Sequence, residues 1–424
     1  MRQKEQFGDF NTVVVGAGPA GMAAAIAAAG DGASVLLLEK MPQPAIKLKA
    51  TGGGRCNLAS NLSNDEIIKR FGREGRFMIP ALRGLDCSRL LAFFESIGVN
   101  CHIPDGMRVF PTSHNSDTVV KALLQELERQ KITLRCSQKV TELLVDNSRI
   151  IGLTSNDEKI SCRKLILATG GKASPAMGSS GEGLAMAAAV GHTITDLFPA
   201  MLPLQTKETW VKNCRADTVG KAEIKINMPG EKKLQAKGDL IFTANGIRGP
   251  VVLDFAREIT PLLQKYGEVA ILVNLTRGLN EEEIRARIAG ESAARPAAAA
   301  RETLAPLVSL PLADQLCLLA GIEPQKPLKQ QSAAARDQLL KLLAWTPLTV
   351  IGHEGWKAAM VTRGGISLKE IHPETLESRL IKGLYFCGEI VNLDGPCGGF
   401  NLHWCFASGI LAGTSSCRCS EKAC

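Results

Sequence analysis

A doubly wound α/β domain, interrupted by an inserted region that is first strand-rich and then helical, is what the 424-residue sequence predicts. Three observations carry this prediction. The chain opens on strand, glycine turn, small-residue helix and second strand in "NTVVVGAGPAGMAAAIAAAGDGASVLLLEK". It closes in "GLYFCGEIVNLDGPCGGFNLHWCFASGILAG", a strand, glycine-rich loop and helix of the same composition. Between them the texture changes, with proline-bounded strands from about residue 196 and alanine-rich helix from about 280. Residues 1–195 and 355–424 are therefore expected to form one discontinuous domain. Residues 196–354 are the insert, strand-rich over 196–279 and helical over 280–345.

The first elements follow from local pattern. "TVVV" is β-branched and reads as a buried strand, "GMAAAIAAA" as a helix whose small side chains permit close packing, and "SVLLLE" as a parallel strand. The unit is βαβ, with a right-handed crossover. In the turn, "GAGPAG" places Gly16, Gly18 and Gly21 in the spacing GxGxxG, and Glu39 follows Gly21 by eighteen residues at the end of the next strand. Gly16 makes the tight turn, Gly18 lets a pyrophosphate approach the helix N-terminus, and Gly21 lets helix and strand touch. Glu39 is placed to accept hydrogen bonds from an adenosine ribose and to repel a 2′-phosphate.

Next comes "TGGGRCN" at residues 51–57, three glycines on which a large ligand can lie flat against main chain. Residues 62–100 are helical by pattern and leave the sheet as an excursion. An amphipathic helix in "SDTVVKALLQELERQ" leads to three strand-like pieces between 139 and 167, separated by "DN" and "ND", the signature of an antiparallel meander. "GLAMAAAVGHTI" is a further small-residue helix. In the insert, "ARPAAAAR" is read as helix because leucines resume at helical spacing directly after it.

Composition narrows the function. The net charge of +8 is mild for this length and its basic residues are interspersed with acidic ones, so no nucleic-acid partner is indicated. Thirteen scattered cysteines, an odd number, suit reduced thiols in the cytoplasm. The tail "CRCSEKAC", with Cys417, Cys419 and Cys424, matches no zinc spacing and reads as incidental. No apolar run is long enough to span a membrane and the start lacks a signal-peptide pattern. His102, His114, His192, His353 and His372 stand too far apart in sequence for a metal motif, and there is no GxSxG elbow for a hydrolase.

The remaining glycine clusters choose among dinucleotides. A simple nicotinamide dehydrogenase needs neither a meander nor a second set of bare strand ends, yet "LILATGG" and "FCGE" supply both ends. A long bound cofactor, FAD, fits that pattern. No second GxGxxG unit follows, so a nicotinamide donor, NADH or NADPH, would have to dock transiently.

Five blocks in consistent order from about residue 11 to 414 carry a family resemblance: "TGGGRCN", "LILATGG" with "GSSGEGLAMAAAVGHTI", "FTANGIRGP", "VTRGGISLKEI" and "GLYFCGEIVNLDGPCGGFNLHW". The chain resembles the BaiN-like family of NAD(P)/FAD-dependent oxidoreductases, bacterial flavoproteins that include bile-acid and aminoacetone-type enzymes. The resemblance implies a Rossmann-like FAD-binding domain of the glutathione-reductase type. Its implied cofactor contacts are Gly16, Gly18, Pro19, Ala20 and Gly21 at the turn, then Glu39 and Lys40, then Lys47 ahead of the glycine loop. In the loop they are Thr51, Gly52, Gly53, Gly54, Arg55, Cys56 and Asn57, with Cys56 a packed side chain rather than a nucleophile. Val140 would contact adenine, and Ala168, Thr169 and Gly170 the adenosine end. Gly388 and Glu389, with Phe400, Asn401 and Leu402, would hold the ribityl chain and the pyrimidine edge of the flavin.

The chain departs from the family at Ala45 and Ile46, at Ala244, at Asn392 and at His403, on the expected flavin and substrate side. No catalytic residue is assigned. His403 is the best-placed proton donor by motif, against a structural role in the same segment; Arg363 binds an anionic substrate or lines the flavin, against a solvated or sheet-capping role; Cys397 lacks the CxxC partner of a disulfide-exchanging enzyme. The expected function is hydride transfer, through FAD, between a nicotinamide or organic donor and a small unsaturated or carbonyl substrate bound beneath the insert. An amine or amino-ketone oxidase using dioxygen, and a non-enzymatic flavin redox sensor, are the alternatives. A flavin-dependent RNA-modifying enzyme is one that the charge pattern does not encourage.

Overall fold

The computed structural model describes residues 10–30, 32–231 and 234–418, so that Cys419 and Cys424 lie outside the described residues. Two compact units are formed, one of Met1–Phe198 with Val361–Cys424 and the other of Pro199–Met360.

In the first unit, strand β1 (Phe10–Val15) leads through a glycine turn into helix α1 (Pro19–Ala29) and strand β2 (Val35–Leu38). β1 and β2 are parallel, with Val13 opposite Leu36 and Val14 opposite Leu37. Thr133–Arg135 adds in parallel beyond β2. On the other side of β1 lies the C-terminal half of Glu158–Leu167, and beyond it Leu384–Phe386, both parallel. The N-terminal half of Glu158–Leu167 belongs to a different ladder: it pairs antiparallel with Arg149–Ser155, which pairs with Val140–Asp146. One strand thus serves both the parallel sheet and the meander. The meander turns at Asn147–Ser148 and Asn156–Asp157, all four at positive φ, as two-residue hairpins require.

α1 is apolar all round because it is covered on both sides. Its alanines lie between the sheet and the helix Phe400–Arg418, whose Gly409 and Gly413 are the points of closest approach. A β-carbon at Gly409 would stand 2.3 Å from the Ala20 carbonyl oxygen, and one at Gly413 2.3 Å from that of Ala24. The excursion after the glycine loop consists of Asn64–Arg70, a 3₁₀ segment Gly72–Met78, Ile79–Gly84 and Cys87–Ser96. Ser63 and Glu66 close a reciprocal capping box at its start, and Asp86 caps its last helix.

In the second unit the strand-like pieces close into a six-stranded antiparallel barrel. Its order is Leu204–Thr206, Gly246–Arg248, Gln235–Phe242, Thr218–Ile226, Val269–Asn274 and Thr346–His353, the last pairing back onto the first. The helix Pro250–Tyr266, which the strand-like texture of 196–279 conceals, reaches five of the six strands. Four helices over 281–344 pack beside the barrel. The expected helix through "ARPAAAAR" is corrected here. One helix ends at Ala294 and the next starts at Ala300, because Pro296 offers no amide and pushes Arg295 to φ −134°.

Among the described residues, no helix is long and apolar enough to cross a membrane.

Candidate functional site

The dinucleotide turn has three glycines with three different environments. Gly16 has φ 100°, and a β-carbon there would lie 2.7 Å from the Ala168 carbonyl oxygen. At Gly21 it would lie 1.8 Å from the carbonyl oxygen of Gly16, inside bonding range. Gly18 by contrast faces open space, with no atom within 4 Å. It heads α1 without a side-chain cap and is followed by Pro19, so the first amides of the helix have no partner in their own segment. That is the arrangement an anion at a helix N-terminus needs. Glu39 is held by main chain: its Oε2 accepts from the Ala17 amide at 2.8 Å and its Oε1 from Met41 at 2.9 Å, which leaves a lone pair on each oxygen. Lys40 turns away to Ser180 and Glu182, and Lys139 lies 3.3 Å from Glu182. Burial opposes ionisation of Glu182, but hydrogen bonds from Lys40 and Ser180 outweigh it and bring its pKa down to about 2.

The glycine loop follows the short helix α2 (Ile46–Ala50), which is entered through Ala45 in the left-handed region at φ 59°. Gly52, Gly53 and Gly54 are all left-handed, at φ 59°, 66° and 86°. Above Gly53 and Gly54 there is no atom within 4 Å of the missing β-carbon, so the bare main chain borders open space. The Thr51 hydroxyl donates to the Leu48 carbonyl at 2.7 Å. Arg55 lies 5.3 Å over the Phe110 ring and donates its Nε–H to the Gly52 carbonyl. Cys56 is fully buried; burial pushes its thiol up to about 12, against a lowering hydrogen bond from Thr51. The amide of Asn57 donates to the carbonyls of Val109 and Ala59 and accepts from the Gly399 N–H at 3.1 Å, tying this loop to the glycines before the last helix.

Ala168, Thr169 and Gly170 follow the shared strand. The Thr169 hydroxyl is buried without a hydrogen-bond partner, and Gly183 is bare beneath it: a β-carbon there would fall 1.8 Å from that oxygen. Val140 is buried at the start of the meander. Gly388, at φ 77°, sits against Ala20 of the dinucleotide turn, donates its N–H to Ser408 and accepts from the Trp404 indole. Glu389 pairs with Lys47 at 2.9 Å and accepts from the Thr362 amide at 2.9 Å. Gly398 and Gly399, at φ 128° and 89°, lead into the last helix. Asn401 in its first turn clasps the Gly395 amide and carbonyl, while Phe400 meets Phe71 edge to face at 6.5 Å and Leu402 is half-buried.

Segments far apart in sequence therefore converge: residues 16–21 with 168 and 388, residue 47 with 389, and residue 57 with 399. These features suit FAD. The uncapped start of α1 would take the diphosphate and Glu39 the ribose. The open glycines at 53 and 54 and the left-handed turn at Gly388 would take the flexible chain and ring.

His403 is on the other side of its helix. It is completely buried, its Nε2–H donates to the Leu85 carbonyl at 2.9 Å, and desolvation lowers its pKa. Arg363 ends the strand Val361–Arg363 and is half-buried, as is Cys397. Asn392 donates its amide to Ile366, and Ala244 lies in the barrel hairpin between Phe242 and Gly246. His102 and His114 stack edge to face at 4.5 Å, but no group of three metal-ligating side chains occurs among the described residues. Sequence reasoning passed over Ser408 and Trp404, whose side chains hold the Gly388 backbone, and Thr362, whose backbone amide holds the Glu389 carboxylate; these partners stand 16 to 27 positions apart and leave no local pattern.

The HI0933-like protein Rossmann domain family matches residues 10–415. The 3-dehydro-bile acid delta(4,6)-reductase of Clostridium scindens is 30% identical over 408 residues, 95% of this chain and 98% of that protein. The ribosomal RNA dihydrouridine synthase of Escherichia coli is 26% identical over 94% of this chain and 96% of its own. Among solved structures, 3-ketosteroid delta1-dehydrogenase from Sterolibacterium denitrificans shares the fold, with a TM-score of 0.54 and 13% identity over 97% of this chain and all of that one. The resemblance drawn from the five blocks thus holds along the whole chain, which belongs to the HI0933-like Rossmann family and is a flavin-type oxidoreductase.

Proposed function

We propose that this protein saturates a carbon–carbon double bond conjugated to a carbonyl group. FAD supplies the hydride when bound, and a nicotinamide dinucleotide that docks transiently supplies the electrons. The observations that carry the reading are the open main chain at Gly18, Gly53 and Gly54 and the contacts that draw Gly388 against Ala20, Lys47 to Glu389 and Asn57 to Gly399. The names of the two curated relatives supply the direction, since a delta(4,6)-reductase and a dihydrouridine synthase both yield rings with fewer double bonds.

The geometry supports the following roles. With FAD bound, the first amides of α1 would hold the diphosphate and Glu39 would orient the ribose. The Lys47–Glu389 pair fixes the carboxylate beside Gly388, and the N-terminus of Phe400–Arg418 favours negative charge on the adjoining ring edge. His403 is excluded as proton donor, because its only N–H is committed to Leu85 inside the core. The substrate proton then comes from water or from a group outside this motif.

A small cyclic enone is the first substrate class, on the similarity to the bile-acid enzyme. A uracil ring within RNA is the second, on the similarity to the dihydrouridine synthase. Purified protein is expected to show a flavin absorption spectrum that NADH or NADPH bleaches without oxygen. A cyclic enone or uridine-containing RNA then restores it and gains two hydrogens by mass. A colourless protein that FAD cannot reconstitute, or a reduced one that hydrogenates neither class, overturns the proposal.

A further inference from the structure

The excursion after the glycine loop carries a feature that cofactor binding does not use. Its buried positions, Ile67, Phe71, Gly75, Met78, Leu82 and Leu85, recur every three or four residues and form one inward stripe. Lys69, Arg70, Arg73, Arg76 and Arg83 lie between these buried positions, on the outer side of the segment. All five are exposed. Between residues 69 and 83 the only acidic residue is Glu74, an excess of four positive charges over fifteen positions; Asp65 and Glu66 precede the segment, with Glu66 facing the charges of Lys69 and Arg70, and Asp86 follows it, so the uncompensated part is Arg73, Arg76 and Arg83. Among the described residues no carboxylate pairs with Arg73, Arg76 or Arg83. The interspersed charge of the full sequence averages this cluster away.

The ridge is fixed to the candidate site. Phe71 packs on Phe400 at 6.5 Å, Phe77 on Trp404 at 6.4 Å, and the Leu85 carbonyl accepts from His403. All three contacts fall on the first turns of the last helix, next to the residues proposed to hold the flavin edge. The cations therefore stand about one helix diameter, roughly 10 Å, behind that turn. Within the ridge Gly75 rests on the Ile68 carbonyl, where a β-carbon would lie 2.1 Å away, so the two layers cannot slide freely.

We propose that this ridge docks the phosphate backbone of RNA and so presents a uridine to the groove. The inference rests on the second substrate class proposed above. Guanidinium groups, four of the five cations, suit phosphate through paired N–H donors, whereas a small neutral enone has no use for such a surface.

The test uses the full-length flavoprotein and a fluorescently labelled RNA hairpin with uridines in its loop. Anisotropy is read across a salt series for the wild type, for an Arg73→Gln, Arg76→Gln, Arg83→Gln variant, and for a Lys212→Gln, Lys329→Gln, Lys341→Gln control of equal charge change. Loss of three phosphate contacts lowers the slope of log affinity against log salt by about 2 to 3. The ridge variant is expected to show that drop, with at least tenfold weaker binding and unchanged flavin content, while the control keeps the wild-type slope. No RNA binding by the wild type, or equal losses in both variants, overturns the proposal. Mass analysis of the same RNA after incubation with NADH-reduced flavoprotein separates the two readings: ridge-dependent binding without uridine reduction overturns the presentation of uridine together with the second substrate class, whereas uridine reduction with a ridge variant that binds normally overturns the ridge alone.

Discussion

A β-carbon at Gly21 and one at Gly53 do different damage. At Gly21 it meets the Gly16 carbonyl at 1.8 Å and must part helix from strand, so Gly21→Ala is expected to destabilise the first unit by about 3 kcal/mol, read by denaturant unfolding. Gly53→Val meets no atom and suffers mainly from its left-handed backbone, a cost of about 1 to 2 kcal/mol. Its larger effect is on the open space above the loop: the flavin-to-protein absorbance ratio should fall while the apoprotein still folds. His403 gives a pH signature. Burial holds its folded pKa below the ordinary 6.5, so the unfolded chain takes up the proton first. The stability it contributes is full above pH 6.5 and is lost as pH falls from there through the folded value. His192, buried against Ser378, acts in the same direction. His403→Gln should flatten the fall in Tm between pH 7.5 and 5.5, measured by thermal melts. At this scale Gly16, Gly18 and Gly21 were legible because their roles arise within one turn. The place of His403 was not, because the carbonyl it serves is 318 residues away.

The pairing of α1 with the last helix decides whether the dinucleotide turn is held. Gly409 and Gly413 are one helical turn apart and meet the Ala20 and Ala24 carbonyls. Gly409→Leu forces four extra carbons into that seam and should lower Tm by several degrees and flavin content with it, since Ala20 belongs to the turn itself. Absorbance and a thermal melt on one sample check both. The alanine-rich composition of α1 announced a close-packed helix, and the "DN" and "ND" pairs announced the meander turns, because each is a local demand on backbone. The barrel was read only as strands. Its closure joins Leu204–Thr206 to Thr346–His353 across some 140 residues, and nothing in either segment names its partner. Pro296 shows the opposite failure, a strong local signal overridden in the reading by the alanines around it.

For the whole molecule, stability and cofactor are linked. A ligand that binds only the folded chain adds about 2.7 kcal/mol at one hundred times its dissociation constant. Stripping FAD should therefore lower Tm, and titrating it back should raise Tm with concentration, as scanning fluorimetry would record; a Tm indifferent to FAD would contradict a resident cofactor. The shared composition of the two ends of the sequence pointed to one discontinuous domain, and close packing between them, Gly388 on Ala20 and Gly409 and Gly413 on the carbonyls of α1, is what their glycines serve. The ion pair of Lys47 with Glu389, and the contact of the basic segment with Phe400, join residues more than 300 positions apart and leave no pattern in either segment. The strand Glu158–Leu167 is flanked in the finished sheet by β1 and by Leu384–Phe386, and α1 is covered by a helix that ends at Arg418. During synthesis, then, the first two-fifths of the polypeptide leave the ribosome with one edge of their sheet unpaired and one helix uncovered. Flavin loading is then expected only once Leu384–Phe386 and Phe400–Arg418 have been made, and a chain cut before Leu384 is expected to be an aggregation-prone apoprotein rather than a weaker enzyme.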